Sequence, residues 1–444
     1  MMKALQQQIQ QHLQLPTSAS LDQLLASRHI QSISDAVAGL ALPEQIQVLQ
    51  CSRYSGQIFE HLSHALQVQL AQHLQMQQLS QIVQNMHSDD RTDFYQLLAP
   101  DLQQQLLQQL PQHIQQQLSE LAAYPYASAG SIMSSDFVTL APEMTIQQAI
   151  DDLRQVAAHR ETLYLVYVVD DAQKLLGVIS LRQIIQADPL SQVAHIMRQD
   201  LIYAQVDEDQ EHVAALLAHY DFLALPIVDA QQRLLGIVTY DDAMDVIRAE
   251  TDEDFLKSSA VQHQAGVSLK HASIFSLYKK RVFWLVILVF GSLLSGIGIA
   301  HFEEIIAAHI VLVFFLPLLV GSGGNAGSQS ATLMVRALAT GDVELKDWLG
   351  LLGRESLVAL CLGATMAVAV SILGYIRGDV MVAVVLALSM LGIVLLGALI
   401  GMSLPFVLDK LKLDPASASG PLVTSICDAT GVVVYLFIAS QLLL

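Results

Sequence analysis

Basic charge is the scarcest feature of this chain. Lys and Arg number 22 against 41 Asp and Glu, giving a formal net charge of −19 over 444 residues. Nucleic-acid binding needs clustered Lys and Arg to neutralise phosphate, and no basic stripe exists, so that class of partner is excluded. Cysteine is scarce too. Cys51, Cys361 and Cys427 have no metal-ligand or redox spacing and read as reduced packing residues. The opening MMKALQQQIQQHLQ lacks the apolar core of a signal peptide, so the front half is expected in the cytosol. No Ser/His/Asp set, Walker loop or pair of catalytic carboxylates stands at a working spacing. GSGGNAGS, which begins at Gly321, lacks the Lys of a phosphate-binding loop, which argues against an enzyme and against ATP-driven transport.

Long apolar runs are missing up to about residue 275 and dominate from Phe283 to Leu444. Five spans are predicted, roughly 282–302, 305–330, 352–376, 380–408 and 419–443. Each is long enough to cross a hydrocarbon core of about 30 Å at about 1.5 Å per residue. Positive charge before the first span (Lys279, Lys280, Arg281), after the second (Arg336, Lys346, Arg354) and after the fourth (Lys410, Lys412) falls on one side. That predicts a multi-pass protein of the cell inner (plasma) membrane with its N-terminus cytoplasmic and its C-terminus outside.

The polar half has its own organisation. Residues 1–126 alternate Leu or Ile with Gln at helical spacing, as in DLQQQLLQQL from Asp101 to Leu110, with turns at Pro16, Pro43, Pro100 and Pro111. The regular Leu stripe predicts packed amphipathic helices rather than a disordered glutamine tract. From residue 130 a repeat begins. Val168-Val169-Asp170 recurs as Ile227-Val228-Asp229, and Leu175-Leu176-Gly177 as Leu234-Leu235-Gly236, both 59 residues on. Ile132-Met133 likewise recurs as Ile196-Met197. A repeat of this length is a structural unit. It resembles the CBS domain pair, a regulatory module that commonly binds adenine nucleotides or ions. After it, 245–275 reads as one long polar helix, with Gly266 a possible kink.

Within the spans, polarity is concentrated in two places. PLLVGSGGNAGSQSATLMVRALATGD, from Pro317, carries five glycines in and just after the second span, fit either for a small-residue packing seam or for a lined cavity. Asn325, with Ser322, Ser328 and Gln329 around it, tips this toward a cavity. DPASASGPLVTSICDATGVVVY, from Asp414, opens the fifth span and puts Asp428 about 14 Å into the bilayer. A carboxylate at that depth costs about 2.5–3.5 kcal/mol. It has no Lys or Arg one turn away, so a functional role is the better reading. Pro421, two turns earlier, frees a carbonyl; with Thr424 and Ser425 it completes one polar stripe.

These two segments look like signature segments of the MgtE family of magnesium channels, and the order of parts matches that family throughout. The resemblance implies a multidomain membrane protein: an all-α helical N-terminal domain (1–126), α+β tandem CBS domains (127–250), a long connecting (plug) helix (245–275) and a five-helix transmembrane domain (276–444). It implies a homodimer in the lipid bilayer with a pore lined by the second and fifth spans, Asp428 holding Mg2+ through its water shell beside Asn325. It also implies a cytosolic Mg2+ sensor built from Asp89, Asp93, Asp209, Glu211, Asp221, Asp242, Asp245, Glu250, Glu253 and Asp254, with ATP a candidate modulator. Residues 127–270 hold 22 acids against 9 basic residues, a crowding that cations would relieve. Oxygen ligands without Cys or His favour magnesium or calcium over zinc or copper. The expected activity is passive Mg2+ influx, shut when cytosolic Mg2+ is plentiful. The competing reading is a CBS-regulated carrier of another ion with a nucleotide sensor. An anion pore would want Lys or Arg facing its lumen, where this chain offers a carboxylate.

Overall fold

The computed structural model describes residues 2–14, 18–157, 160, 162–261, 273–339 and 341–443. The chain forms two compact units, Met1–Arg248 and Ala249–Leu444.

The first unit opens with ten helices among the described residues, α1 to α10, between Met2 and Leu121. Their Leu and Ile stripes converge on one core in which Ile9, Phe59, Leu79 and Phe94 are fully buried, Phe59 meeting Phe94 edge-to-face at 5.0 Å. Short helices leave many C-terminal carbonyls unpaired, and glutamine supplies the missing donors. The fourth residue of α4 (Leu42–Cys51), Gln45, donates from Nε2 to the carbonyls of Val37 and Leu40, both at 3.1 Å. The fourth residue of α6 (His64–Ala71), Gln67, reaches Phe59 O at 2.8 Å. Gln103 in α9 (Pro100–Gln109) and Gln115 in α10 (Gln112–Leu121) do the same to Tyr95 and Leu110. At the equivalent place in α8 (Ser88–Leu97), buried Arg91 holds Val83 O and Met86 O at 3.0 and 2.7 Å. Four of the glutamines thus serve as caps, and the packed-helix expectation holds.

The repeat folds as two copies of one motif. In the first, β1 (Thr139–Leu140) pairs parallel with β2 (Leu165–Val169), which pairs antiparallel with β3 (Leu175–Ser180). In the second, β4 (Ala204–Gln205), β5 (Ala224–Val228) and β6 (Leu234–Thr239) do likewise. Even the bulge recurs, after Val168 and after Ile227. The copies interlock crosswise. A Cβ on Gly177 would stand 2.6 Å from Met197 Sδ, and one on Gly236 2.7 Å from Met133 Sδ, so each Ile-Met segment lies on the other copy's glycine strand. Helices α11 (Ile146–Val156), α12 (Leu181–Gln186) and α13 (Gln210–Tyr220) cover the sheets.

Helix α14 runs Tyr240–Ser258 and stops there, a correction to the expected 245–275 helix. Ser258 and Ser259 both turn their hydroxyls onto Phe255 O, Ala260 takes a left-handed φ of 54°, and Val261 N reaches back to Leu256 O. Serine competition and a left-handed residue closed by a six-residue bond are a standard helix stop. Gly266 lies outside the described residues.

Five helices of the second unit are long and apolar enough to cross a membrane: α15 (Ile274–His301), α17 (Val311–Ala339), α18 (Trp348–Arg377), α19 (Val380–Lys410) and α20 (Gly420–Leu443). A short α16 (Glu303–Ala308) precedes α17, so the second span begins and ends later than 305–330. Helix α19 is the central one, packed by α17, α18 and α20. Its contact with α17 is glycine on glycine: a Cβ on Gly397 would meet Gly323 O at 2.4 Å, and one on Gly401 would meet Gly327 O at 1.9 Å. Small residues four apart on both helices let the backbones touch.

Candidate ion pathway and metal centre

The α17 glycines serve both of the purposes left open by the sequence. Gly323 and Gly327 face α19, while Gly324 faces α20, where a Cβ would lie 2.9 Å from Thr424 Cγ2 and 3.3 Å from Asp428 Oδ1. Bare backbone at Gly324 is what lets the carboxyl of Asp428 lie against α17. One turn along, Ser328 Oγ sits 3.1 Å from Thr424 Oγ1 and donates to Gly420 O at 3.3 Å; Thr424 Oγ1 donates to the same carbonyl at 2.8 Å. Asn325 and Pro421 are exposed beside this wall. Asp428 Oδ1 is shielded from solvent and has no hydrogen-bond partner among the described residues. Ser425 differs from its expected place on the stripe: its hydroxyl donates to Pro421 O at 3.0 Å, and its Cβ faces Gly291 of α15.

In the first unit, the acids gather where α8 meets the CBS pair. Ser88 anchors the junction: its N–H donates to Asp136 Oδ2 at 3.0 Å, and its Oγ lies 3.0 Å from Ser134 Oγ and accepts from Ser135 N at 2.9 Å. This fixes the turn His87–Asp90. Ligand atoms of Glu60, His87 and Asp90 lie within 4.8 Å of one another. Burial, then Asp89, Glu60 and Asp242, push the Asp90 carboxyl up to about 9. Asp242 in the first turn of α14 rises to about 8, by burial first and then by Asp89, although hydrogen bonds from Thr239 oppose this. Acids this deprived of solvent hold a proton or want a cation.

Asp89 and Asp242 thus belong to this cluster, but Glu60, His87 and Asp90 escaped the sequence reading. Glu60 and His87 are 27 residues apart, with nothing local to join them. The remaining acids lie elsewhere. Asp93 is exposed. Asp209 caps the start of α13, accepting from Glu211 N at 2.8 Å, and Asp221 closes its other end with a φ of 53°. Asp245 pairs with Arg248 at 3.1 Å. In the second unit, Lys257 bonds Glu253 and stands 2.5 Å from Asp414 Oδ2. Burial and then Asp414 push the Asp254 carboxyl up, with a smaller contribution from Glu250. The connecting helix therefore carries its own counterions.

Between the two CBS repeats lies a cavity of about 860 Å³ whose walls include Tyr164, Phe222, Arg182, Arg198 and Asp200.

The family model of the divalent cation transporter MgtE matches residues 316–438, that of the MgtE intracellular N domain 28–127, and that of the CBS domain 129–189 and 193–249. The magnesium transporter MgtE of Thermus thermophilus is 42% identical over 323 residues, covering 73% of this chain and 72% of that protein. The chain belongs to the MgtE family. It is accordingly an ion transporter and not an enzyme. The magnesium transporter MgtE of Bacillus subtilis is 35% identical, over 72% of this chain and 70% of its own length. Among solved structures, the soluble part of a magnesium transporter matches at a TM-score of 0.54 and 28% identity, covering 56% of this chain and 99% of its own. The cytosolic domain of the Mg2+ channel MgtE in complex with ATP matches at 0.50 and 34% identity, covering 54% and 98%. The helical N domain, CBS pair and membrane helices expected from the sequence are those of an MgtE-family member.

Proposed function

We propose that this MgtE-family chain carries Mg2+ passively into the cell as a homodimer, through a pore walled by α17 and α20 of both copies, and that cytosolic Mg2+ closes it. The observation that carries the reading is Asp428 Oδ1, shielded and without a hydrogen-bond partner among the described residues, against the bare backbone of Gly324. Oxygen donors alone suit a hard cation, and Mg2+ keeps its inner waters where carbonyls, hydroxyls and carboxylates grip them from outside. The exposed Asn325 and Pro421 leave one side of this polar wall open within a single chain. Polar groups facing lipid are costly, and a second copy across a twofold axis would close the lumen and add a second Asp428.

The sensor in this reading is the cluster of Glu60, His87, Asp89, Asp90 and Asp242, where a cation would relieve repulsion between the helical domain and the CBS pair. Asp254 and Asp414 offer a second acidic group near the start of α20. Asp93, Asp209, Glu211, Asp221 and Asp245 remain assigned by resemblance. The orientation follows the basic loops, with the N-terminus cytoplasmic and the C-terminus outside the inner membrane.

The test is Mg2+ uptake into liposomes by the wild type and by Asp428→Asn and Asp428→Ala. Loss of flux of about tenfold or more is expected in both, since each removes the charge from the filter. Undiminished flux would sink the pore assignment.

A second reading concerns the CBS cavity. Its aromatic and arginine walls suit a nucleotide base and phosphates, and a solved relative at 34% identity holds ATP. Calorimetry of the full chain with ATP, with and without Arg182→Ala, tests whether this cavity takes a nucleotide.

A further inference from the structure

Asp428 is not the only carboxyl set within a membrane helix. Glu355 lies seven residues into α18, about 10 Å along the helix. Its neighbour Arg354 points elsewhere, because adjacent residues on a helix do not face each other. Glu355 forms no ion pair among the described residues, and an unpaired acid near the end of an apolar helix calls for a local reason. That reason is Ser330: its Oγ donates to Glu355 Oε1 at 2.5 Å, from a buried site on α17. This bond ties α18 to α17, although α18 packs mainly on α19.

Helix α17 needs such a tie. Gly321, Gly323, Gly324 and Gly327 leave it little side-chain bulk with which to fix its rotation and height. Its glycine faces meet the backbone of Gly397 and Gly401 and the side chains of Ile393, Thr424 and Cys427, but offer no side chain of their own to key into these neighbours. Polar contacts hold one end of the bare stretch. Ser328 bonds Gly420 O and faces the Thr424 hydroxyl on α20, and two residues on, roughly across the helix, Ser330 bonds Glu355 on α18. A slip of one ångström at this end would carry Gly324 and Asn325, one to two turns back on the same helix, past Asp428 and change the space in which a hydrated ion is measured.

We propose that Glu355 is a positioning residue for ion selection: by accepting the Ser330 hydroxyl it fixes the height and rotation of α17, and hence the gap between α17 and Asp428. It need not touch the ion. The proposal rests on the transport reading, and wild-type flux separates the two.

The experiment compares wild type, Ser330→Ala, Glu355→Gln, Glu355→Ala and the double alanine variant in liposomes, each normalised to monodisperse protein, for Mg2+ and for Ca2+ uptake. Gln keeps an acceptor oxygen at the same reach, so Glu355→Gln should retain most Mg2+ flux and the wild-type Ca2+ to Mg2+ ratio. Ser330→Ala and Glu355→Ala should each lower Mg2+ flux several-fold and raise the ratio, and the double variant should be no worse than either. An unchanged ratio in Ser330→Ala, the smallest change, would overturn the proposal even where Glu355→Ala fails to fold. So would Glu355→Gln behaving like Glu355→Ala, since charge rather than hydrogen bonding would then matter. A wild type without Mg2+ flux would overturn the transport reading and this proposal with it.

Discussion

Lys257 places its ammonium 2.5 Å from Oδ2 of Asp414, in the turn that leads into α20, while bonding Glu253 one helical turn back. The ion pair is half exposed, which limits its worth, yet it offsets part of the negative charge gathered at that junction. These acids raise the affinity of Lys257 for its proton: hydrogen bonds to Asp414 and Glu253 outweigh the opposing effect of burial.

Lys257→Gln removes that resident cation. Flux at low internal Mg2+ should rise a few-fold, because the connecting helix loses its metal-free tether, while millimolar Mg2+ should still suppress flux through the freed carboxylates. Uptake measured against internal Mg2+ in liposomes checks both limits.

The acid cluster predicts a pH dependence of definite sign. Asp90 and Asp242 have carboxyls raised well above the ordinary value near 3.8, so the folded protein holds protons that the unfolded chain releases. Their contribution to stability is therefore fullest below the unfolded value and is lost as pH rises through about 8 to 9. Thermal unfolding of the metal-free chain in detergent should fall from about pH 5 to pH 9, and saturating Mg2+ should flatten the slope by replacing the protons. A metal-free midpoint that rises across this range would contradict the burial of these acids.

Gly401→Ala should separate α17 from α19. The added Cβ would stand 1.9 Å from Gly327 O, a backbone atom with no rotamer to yield, and overpacking of this kind costs about 1–3 kcal/mol. Gly296→Ala, with nothing within 4 Å, is the matched control and should leave the unfolding midpoint unchanged.

Gln45→Met keeps volume but removes the donor that serves Val37 O and Leu40 O. Leaving buried carbonyls unpaired costs about 1–3 kcal/mol, read as a lower unfolding midpoint and faster amide exchange in α3 (Ile30–Ala38) and α4.

The membrane helices, the duplicated strands and Asp428 were legible in the sequence because each leaves a local mark: an apolar run, a repeated string, a charge in the wrong solvent. What escaped depends on chain elements meeting in space. Glu60, His87 and Asp90 come from the end of α5 (Ser55–Glu60) and the start of α8, and no spacing rule joins them. Lys257 and Asp414 are 157 residues apart. The stop at Ser258 was hidden because two serines and an alanine are weak terminators on paper, decisive only through their bonds to Phe255 and Leu256. Ser425 was assigned by helical arithmetic to the stripe of Asp428, and the adjoining Gly291 of α15 gave it another neighbour.

The glutamine caps of the first domain have a further consequence. Amides bear no charge at any physiological pH and bind magnesium poorly, so the joints at Gln45, Gln67, Gln103 and Gln115 are indifferent to salt, protons and metal. Ionic conditions act instead on the domain's charged groups, foremost the acids at the turn His87–Asp90 that face the CBS pair.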